Sequence, residues 1–173
     1  TIVQAYLKNA AMRCGQFLRG SGNYYVSEIL VACDVSAIPA GSTVTDVTVT
    51  INITSNSLGG NTTYSIHKQD LGSWTDDGVD PIYDYFDTAN AWPSSLQTKT
   101  LTTSSTGSQT FSTSASLVSL VQGWVDGTGT PHDGIIIAGN PAYFGYYITG
   151  TVTSIDVTYT PPVSSSGFFA LVQ

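Results

Sequence analysis

The residues best suited to do chemistry are five aspartates gathered between residues 76 and 87, within the stretch of the chain from residue 70 to residue 95. They are Asp76, Asp77, Asp80, Asp84 and Asp87. Calcium takes oxygen ligands from carboxylates and carbonyls, and a glycine-containing acidic loop can wrap this ion without EF-hand spacing. Asp76, Asp77 and Asp80 are therefore the candidate calcium ligands. The simpler interpretation, which we favour, is a solvated acidic loop in a protein without a cofactor.

The same stretch carries aromatic rings that suit sugar recognition. The candidate glycan-binding residues are Trp74, Tyr83, Tyr85 and Trp92. The apolar face of a sugar stacks on an aromatic ring, and nearby Asp and Asn side chains can bond its hydroxyls. In a segment of this length the rings can equally pack the segment onto the body of the protein. Both interpretations stay open at this point.

Catalytic groups are sparse in the sequence. Glycoside hydrolysis needs two carboxylates in unlike environments, and the chain has one glutamate, Glu28, with its aspartates gathered mainly in the acidic stretch. His67 and His132 are far apart, and together with Cys14 and Cys33 they show no zinc-ligand spacing. We therefore expect a protein that is not an enzyme.

Cys14 and Cys33 allow two interpretations that depend on the compartment. They can close a disulfide in an exported protein, or remain two buried thiols in a reducing cytosol. Thr1 is compatible with both origins, because a small residue remains after trimming of an initiator methionine and after signal-peptide cleavage.

An apolar segment follows the last predicted strand. Pro161 and Pro162 end that strand, and residues 163–167 read as a flexible Ser-rich spacer. An apolar segment on a tether suits a groove or a sheet edge on a neighbouring molecule. The candidate assembly residues are Phe168, Phe169, Leu171 and Val172. The predicted domain is thus residues 1–162, followed by a spacer and tail at 163–173.

One helix is predicted, at about residues 116–126. Leu117, Leu120, Val121 and Trp124 recur at helical spacing and form one apolar face. Glycines and a proline follow the helix, and the β-branched run at residues 135–137 then reads as a buried strand.

The rest of the chain reads as short strands separated by turns. Alternation is clearest from Val47 to Ile53, where apolar residues alternate with Thr and Asn. Residues 15–23 read as a loop. The other predicted strands are 2–8, 24–33, 62–68, 96–103, 109–112, 143–149 and 151–160. Strands at this spacing predict an all-β fold, a jelly-roll-type antiparallel β-sandwich with one short helix.

Composition narrows the range of partners. The 173 residues suit one domain with a sizeable core. The chain carries a net charge of −7 with only five scattered basic residues, so we expect no nucleic-acid partner. It has no apolar run near the roughly 20 residues of a membrane span, so we expect no membrane partner either.

Several motifs in this order resemble the DNRLRE (disaggregatase-related) domain, a carbohydrate-binding-module-like β-sandwich. Residues 29–44, ILVACDVSAIPAGSTV, resemble its "LxFDLSSIPAGATV" core. Trp74–Gly78, Asn90–Trp92, Leu117–Gly134 and Val157–Tyr159 are similar to its later elements, so the resemblance extends from residue 5 to residue 162. It implies a non-catalytic module of the kind found in secreted polymer-acting enzymes, surface proteins and phage structural proteins.

These observations lead to one expected function and two alternatives. We expect a non-enzymatic structural protein of a virion or surface assembly, such as a phage head decoration or tail protein. It would contact its own copies and a larger protein assembly through the tail, at the virion surface. The alternatives are a secreted carbohydrate-binding module that recognises a polysaccharide through the aromatic stretch, and an extracellular filament subunit.

Overall fold

The computed structural model describes residues 2–4, 12–19, 23–69, 94–129, 134–139 and 146–163. These residues form strands, one helix and their connections. The strands are β1 (Ile2–Gln4), β2 (Met12–Arg19), β3 (Asn23–Ser27), β4 (Ile29–Val31), β5 (Thr43–Asn56), β6 (Thr62–Lys68), β7 (Ser95–Leu101), β8 (Gly107–Phe111), β9 (Ile135–Gly139) and β10 (Tyr147–Thr160), and the helix is α1 (Ala115–Val125). The helix is too short to cross a membrane, and the described residues contain no other.

The strands form two antiparallel sheets. The first has the order β3-β2-β10-β5-β8, with β1 also paired to β10, and the second has the order β4-β9-β6-β7. From β3 onward the chain changes sheet at almost every connection, and only β6 and β7 are consecutive neighbours in one sheet. This arrangement is that of a jelly roll. The predicted antiparallel sandwich with one short helix is confirmed.

The long strands β5 and β10 pair along almost their whole length and form the centre of the first sheet. Their inner side chains, among them Val49, Ile51 and Ile155, are buried against the second sheet. The pairing is irregular near the start of β5, because Asp46 pairs with Thr158 while Val44 pairs with the next residue, Tyr159. Thr45 is thus an extra residue, which explains why the apolar alternation is broken between Val44 and Val47.

Residues 15–23 were predicted to be a loop, and residues 24–33 a single strand; both predictions are wrong. Residues up to Arg19 belong to β2, which pairs with β3 in a hairpin. The predicted strand 24–33 is divided at Glu28, where the chain leaves the first sheet and enters the second as β4. The apolar run gives no sign of this division, because both halves have a strand-like composition.

Residues 143–149 and 151–160 were predicted to be two strands. The part from Tyr147 onward is a single strand, β10, that continues through Gly150. A Cβ atom at Gly150 would lie 2.8 Å from the carbonyl oxygen of Asn52. Glycine at this position therefore permits close approach of two backbones at a bulge, where the sequence suggested a turn.

The helix begins after Ser114, whose hydroxyl accepts the backbone N–H of Leu117 at 3.1 Å. Leu117, Val121 and Trp124 are buried in the main core, as the apolar face predicts. Leu120, predicted on the same face, is only half-buried and packs at the margin of the core.

Both cysteines are free thiols in the core. The Cys14 thiol donates to the carbonyl oxygen of Ile137 at 3.2 Å, which connects the first sheet to the second. The structure therefore decides between the two interpretations of the cysteines in favour of unbridged thiols.

Candidate functional site

The sandwich has two ends with different architectures. We call the end where β5 begins at Thr43 and β10 ends at Thr160 the helix end, because α1 packs there. We call the opposite end, where β10 begins at Tyr147, the ribbon end. The antiparallel pairing places the first residues of β7 and β9 and the last residues of β6 and β4 at the helix end.

The described residues that flank the predicted site residues lie at the helix end. The candidate calcium ligands and glycan-binding residues lie between Gln69 and Ser94, outside the described residues. The candidate assembly residues lie beyond Val163, also outside them. Gln69 donates its backbone N–H to the carbonyl oxygen of Gly134 at 3.2 Å, which holds one base of the acidic stretch at this end.

The start and the end of the described chain also lie side by side at the helix end. β1 pairs with β10 in the register Ile2–Thr158 and Gln4–Asp156. After β10, Pro162 lies against the turn that precedes β5, because a Cβ atom on Gly41 would be 3.6 Å from the Cβ atom of Pro162. Val163 follows and is 95% exposed.

Gln122 ties the helix to the start of β5. Its side-chain oxygen accepts the backbone N–H of Val44 at 2.7 Å, and its side-chain nitrogen donates to the carbonyl oxygen of Ser42 at 3.1 Å. The same nitrogen donates to the Asp126 carboxylate at 2.9 Å. Polar backbone groups at this junction are therefore satisfied by a side chain, which is the usual requirement for a half-buried turn.

A second set of polar contacts joins the helix end to the other sheet. The Ser114 hydroxyl donates to the carbonyl oxygen of Leu96 at 2.6 Å. The Gln97 side chain donates to the carbonyl oxygens of Ser112 and Thr113, at 2.7 and 3.0 Å. Together with the Gln122 contacts, these bonds hold α1, β5 and β7 together as one platform at the helix end.

The ribbon end is built from the β2–β3 hairpin. Gly15 pairs with both Tyr147 of β10 and Ser27 of β3. Beyond that point, β3 is the one partner of residues 16–19 of β2 among the described residues. This hairpin therefore extends past the start of β10 as a two-stranded ribbon, which we call the β2–β3 ribbon.

Glu28 is the most unusual charged residue among those described. It lies where the chain crosses from β3 to β4 and is only 9% exposed, and neither carboxylate oxygen has a hydrogen-bond partner. Burial raises the pKa of this carboxyl to about 8, so it is mostly protonated at neutral pH. Desolvation first, and the neighbouring Glu28 carboxyl second, raise the pKa of the Cys14 thiol.

Tyr64 is a further buried polar residue beside Cys14, towards the ribbon end of the core. Its hydroxyl donates to the carbonyl oxygen of Cys14 at 3.3 Å, and burial raises its pKa. Like the Cys14 thiol, it connects the sheets through a single hydrogen bond. Cys14 and Tyr64 thus link the two sheets through buried hydrogen bonds, whereas the Glu28 carboxyl is buried without a partner.

The described residues offer limited means for catalysis or metal binding. Within the described ranges, no three or more His, Cys, Asp or Glu side chains come together as a potential metal site. One nucleophile–base contact is present, between Ser65 Oγ and His67 Nε2 at 2.9 Å. Both residues are on β6, and His67 is buried. A hydroxyl–imidazole pair by itself lacks the oxyanion donors that acyl transfer needs.

Sequence reasoning missed Gln122, the protonated Glu28 and the β2–β3 ribbon. Gln122 lies on the polar side of the predicted helix, where its bonds to Ser42 and Val44 have no local signal. A single glutamate within an apolar run was the available sign for Glu28.

Comparison with known proteins identifies no relative of this chain. No protein-family model matches it, and neither any curated protein nor any solved structure does.

Proposed function

We propose that this protein is a non-enzymatic structural module of a multi-copy assembly, such as the surface of a phage head or tail. The observation that carries the proposal is the pairing of β1 with the end of β10, in the register Ile2–Thr158. The first described strand thereby begins, and the last one ends, at the helix end. A module connected to a larger body at one end projects its other end outward, and here that is the ribbon end.

The platform that α1, β5 and β7 form at the helix end supports this role. A projecting module transmits load through its attachment, and a rigid attachment needs satisfied polar groups and a packed core at that end. Gln122 and Ser114 supply the polar contacts, and Trp124, which is 5% exposed, supplies the packing. The resemblance to the DNRLRE domain agrees with this role, because modules of that kind are found in phage structural proteins.

The apolar segment at residues 168–172 is the proposed docking element. Burying its four large apolar side chains contributes several kcal/mol, at about 25 cal/mol per Å². Ordering the spacer costs roughly 1–2 kcal/mol per residue. A single tail therefore binds weakly, and stable assembly requires many copies or a second contact.

Truncation after Val163 tests this function. The truncated chain should remain folded, with an unchanged melting temperature, and should no longer form oligomers in light scattering or analytical ultracentrifugation. Phe168→Ser with Leu171→Ser should have the same effect. Val163→Ser is the matched control, because Val163 is exposed and precedes the apolar segment. A truncated chain that melts markedly lower would show that the tail is a strand of its own sandwich.

A second candidate, a secreted carbohydrate-binding module, is favoured by where the acidic and aromatic stretch is attached. Gln69 and Ser94 both lie at the rim of the helix end, and loops at the rim of a rigid sandwich are common binding sites. Affinity electrophoresis against a panel of polysaccharides tests it. Retardation that Trp92→Ala abolishes would favour the module over the structural role.

A further inference from the structure

The edge strands of the two sheets differ in how well they are protected against pairing with an added strand. The described strands at the sheet edges are β3, β8 and the three-residue β1 in the first sheet and β4 and β7 in the second. Unpaired edge N–H and C=O groups are a template for an added strand, and proteins block edges that must stay unpaired. The state of each edge therefore indicates where an added strand can bind.

The Gln97 side chain contacts the edge of β7 and the residues that follow β8, both at the helix end. The backbone N–H of Thr98 in β7 donates to Gln97 Oε1 at 2.8 Å. The amide nitrogen of Gln97 binds the two carbonyl oxygens directly after β8. At the opposite edge of the second sheet, β4 has only three residues, which is too short for a stable added strand. Among the described edge strands of the first sheet, β3 and β8 have five residues each, and of these two β3 lies at the ribbon end, away from the Gln97 contacts.

The outer part of the β2–β3 ribbon has no third strand among the described residues. Two-stranded ribbons are marginally stable in water, and a third strand stabilises them. Apolar or aromatic residues occupy facing register positions in the ribbon, namely Phe17 with Tyr25 and Leu18 with Tyr24. A third strand beside β3 would extend this pairing into a three-stranded sheet.

We propose that the edge of β3 accepts residues 168–172 of a second copy as an added strand, so that copies join head to tail. This inference rests on the proposed function, which makes that segment the docking element, and it adds the acceptor. The segment has five residues, equal to the length of β3, and it carries no charge or proline. β-strand addition supplies main-chain hydrogen bonds together with contacts from alternate side chains.

The reach of the spacer excludes pairing of this segment with β3 of the same copy. Ser27, the end of β3 nearest the body, is level with Tyr147, and β10 extends from there to Thr160, a distance of about 43 Å at 3.3 Å per residue. Phe168 is eight residues beyond Thr160 and can extend at most about 28 Å from it. The acceptor edge must therefore belong to another molecule. Repeated head-to-tail contacts of this kind produce an open filament or array.

Disulfide trapping in the full chain tests the acceptor. Tyr25→Cys with Ala170→Cys should produce a ladder of dimers, trimers and larger species on non-reducing gels, and single variants should give at most dimers. Asn23→Cys, Tyr24→Cys and Val26→Cys, each with Ala170→Cys, cover other registers. Thr98→Cys with Ala170→Cys is the matched control at the protected β7 edge and should give no ladder.

A second measurement does not depend on cysteine variants. A synthetic peptide of residues 164–173 should bind the chain truncated after Val163 and slow hydrogen exchange of the amides at residues 23–27. Ala170→Pro in the peptide should weaken binding at least tenfold, because proline removes a ladder N–H.

The outcomes separate the two proposals. Loss of assembly on truncation, with a ladder at β3 and protection of residues 23–27, supports the inference. Loss of assembly on truncation, with crosslinks or protection at another edge or at none, overturns the β3 acceptor and leaves the proposed function standing. A full chain that stays monomeric, or a truncated chain that still assembles, overturns both.

Discussion

The side-chain oxygen of Gln122 accepts the backbone N–H of Val44 at 2.7 Å and so joins the helix to the start of the longest strand pair. Gln122→Ala would leave this N–H and the carbonyl oxygen of Ser42 without their partner. We expect a loss of about 1–3 kcal/mol in the free energy of unfolding, measured by urea denaturation. Gln109→Ala is the control, because Gln109 bonds only its own turn at Thr106 among the described residues; its loss should stay below about 0.5 kcal/mol.

Trp124 closes the helix end of the core. Its burial beside Leu117 and Val121 predicts that Trp124→Ala costs about 3–5 kcal/mol in the free energy of unfolding. Val125→Ala, at a half-buried position on the same helix, should cost clearly less. Chemical denaturation of both variants checks this, and a Trp124→Ala loss below about 1 kcal/mol would contradict a structural role for the helix.

Glu28 should make stability depend on pH. Its pKa in the folded state is about 8, above the unfolded value near 4.5, so the folded state holds the proton more tightly. The stabilisation is complete below pH 4.5 and is lost as the pH rises towards 8. Relative to Glu28→Gln, the wild type should therefore lose a few kcal/mol between pH 5 and pH 8 in urea denaturation. If the free energy of unfolding changes with pH in the same way for both proteins, Glu28 is ionised in the folded state over this pH range and the prediction is wrong.

The two thiols should be unreactive until the protein unfolds. Burial first, and the adjacent Asp34 carboxylate second, raise the pKa of Cys33 to about 12, and the pKa of Cys14 is raised as well. Since the thiolate is the reactive form, Ellman's reagent should label neither thiol in the native protein at pH 8 and both in denaturant. A reductant should leave the melting temperature unchanged, whereas a drop would indicate a disulfide.

Patterns within a few residues were sufficient for much of the fold. The predicted strand 62–68 coincides with β6, and the alternation from Val47 to Ile53 lies within β5. The helical spacing of Leu117, Val121 and Trp124 placed α1 within one residue at each end. These patterns succeed because the period of side chains along a strand or a helix is a local property of the backbone.

The candidate site was less accessible to sequence reasoning. The predicted calcium, glycan and assembly residues all lie in segments outside the described residues, and they stay predictions. What the structure adds is the position of the bases of these segments, at the helix end beside Gly134 and Gly41. That position depends on strand pairing between distant parts of the chain, which no local pattern contains.

The sequence by itself determined the fold class, the helix and most strands, because burial of one face imposes its period on neighbouring residues. Only the tertiary structure decided that the chain changes sheets at Glu28, that β10 continues through Gly150 and that β2 and β3 form a ribbon. The first two features depend on partner strands far away in sequence, and the ribbon is defined by where the distant strand β10 begins beside β2. A strand-like run of residues specifies its own extended conformation. Which sheet it joins, where it ends and whether it lies at a sheet edge are set by the backbone that comes to lie beside it.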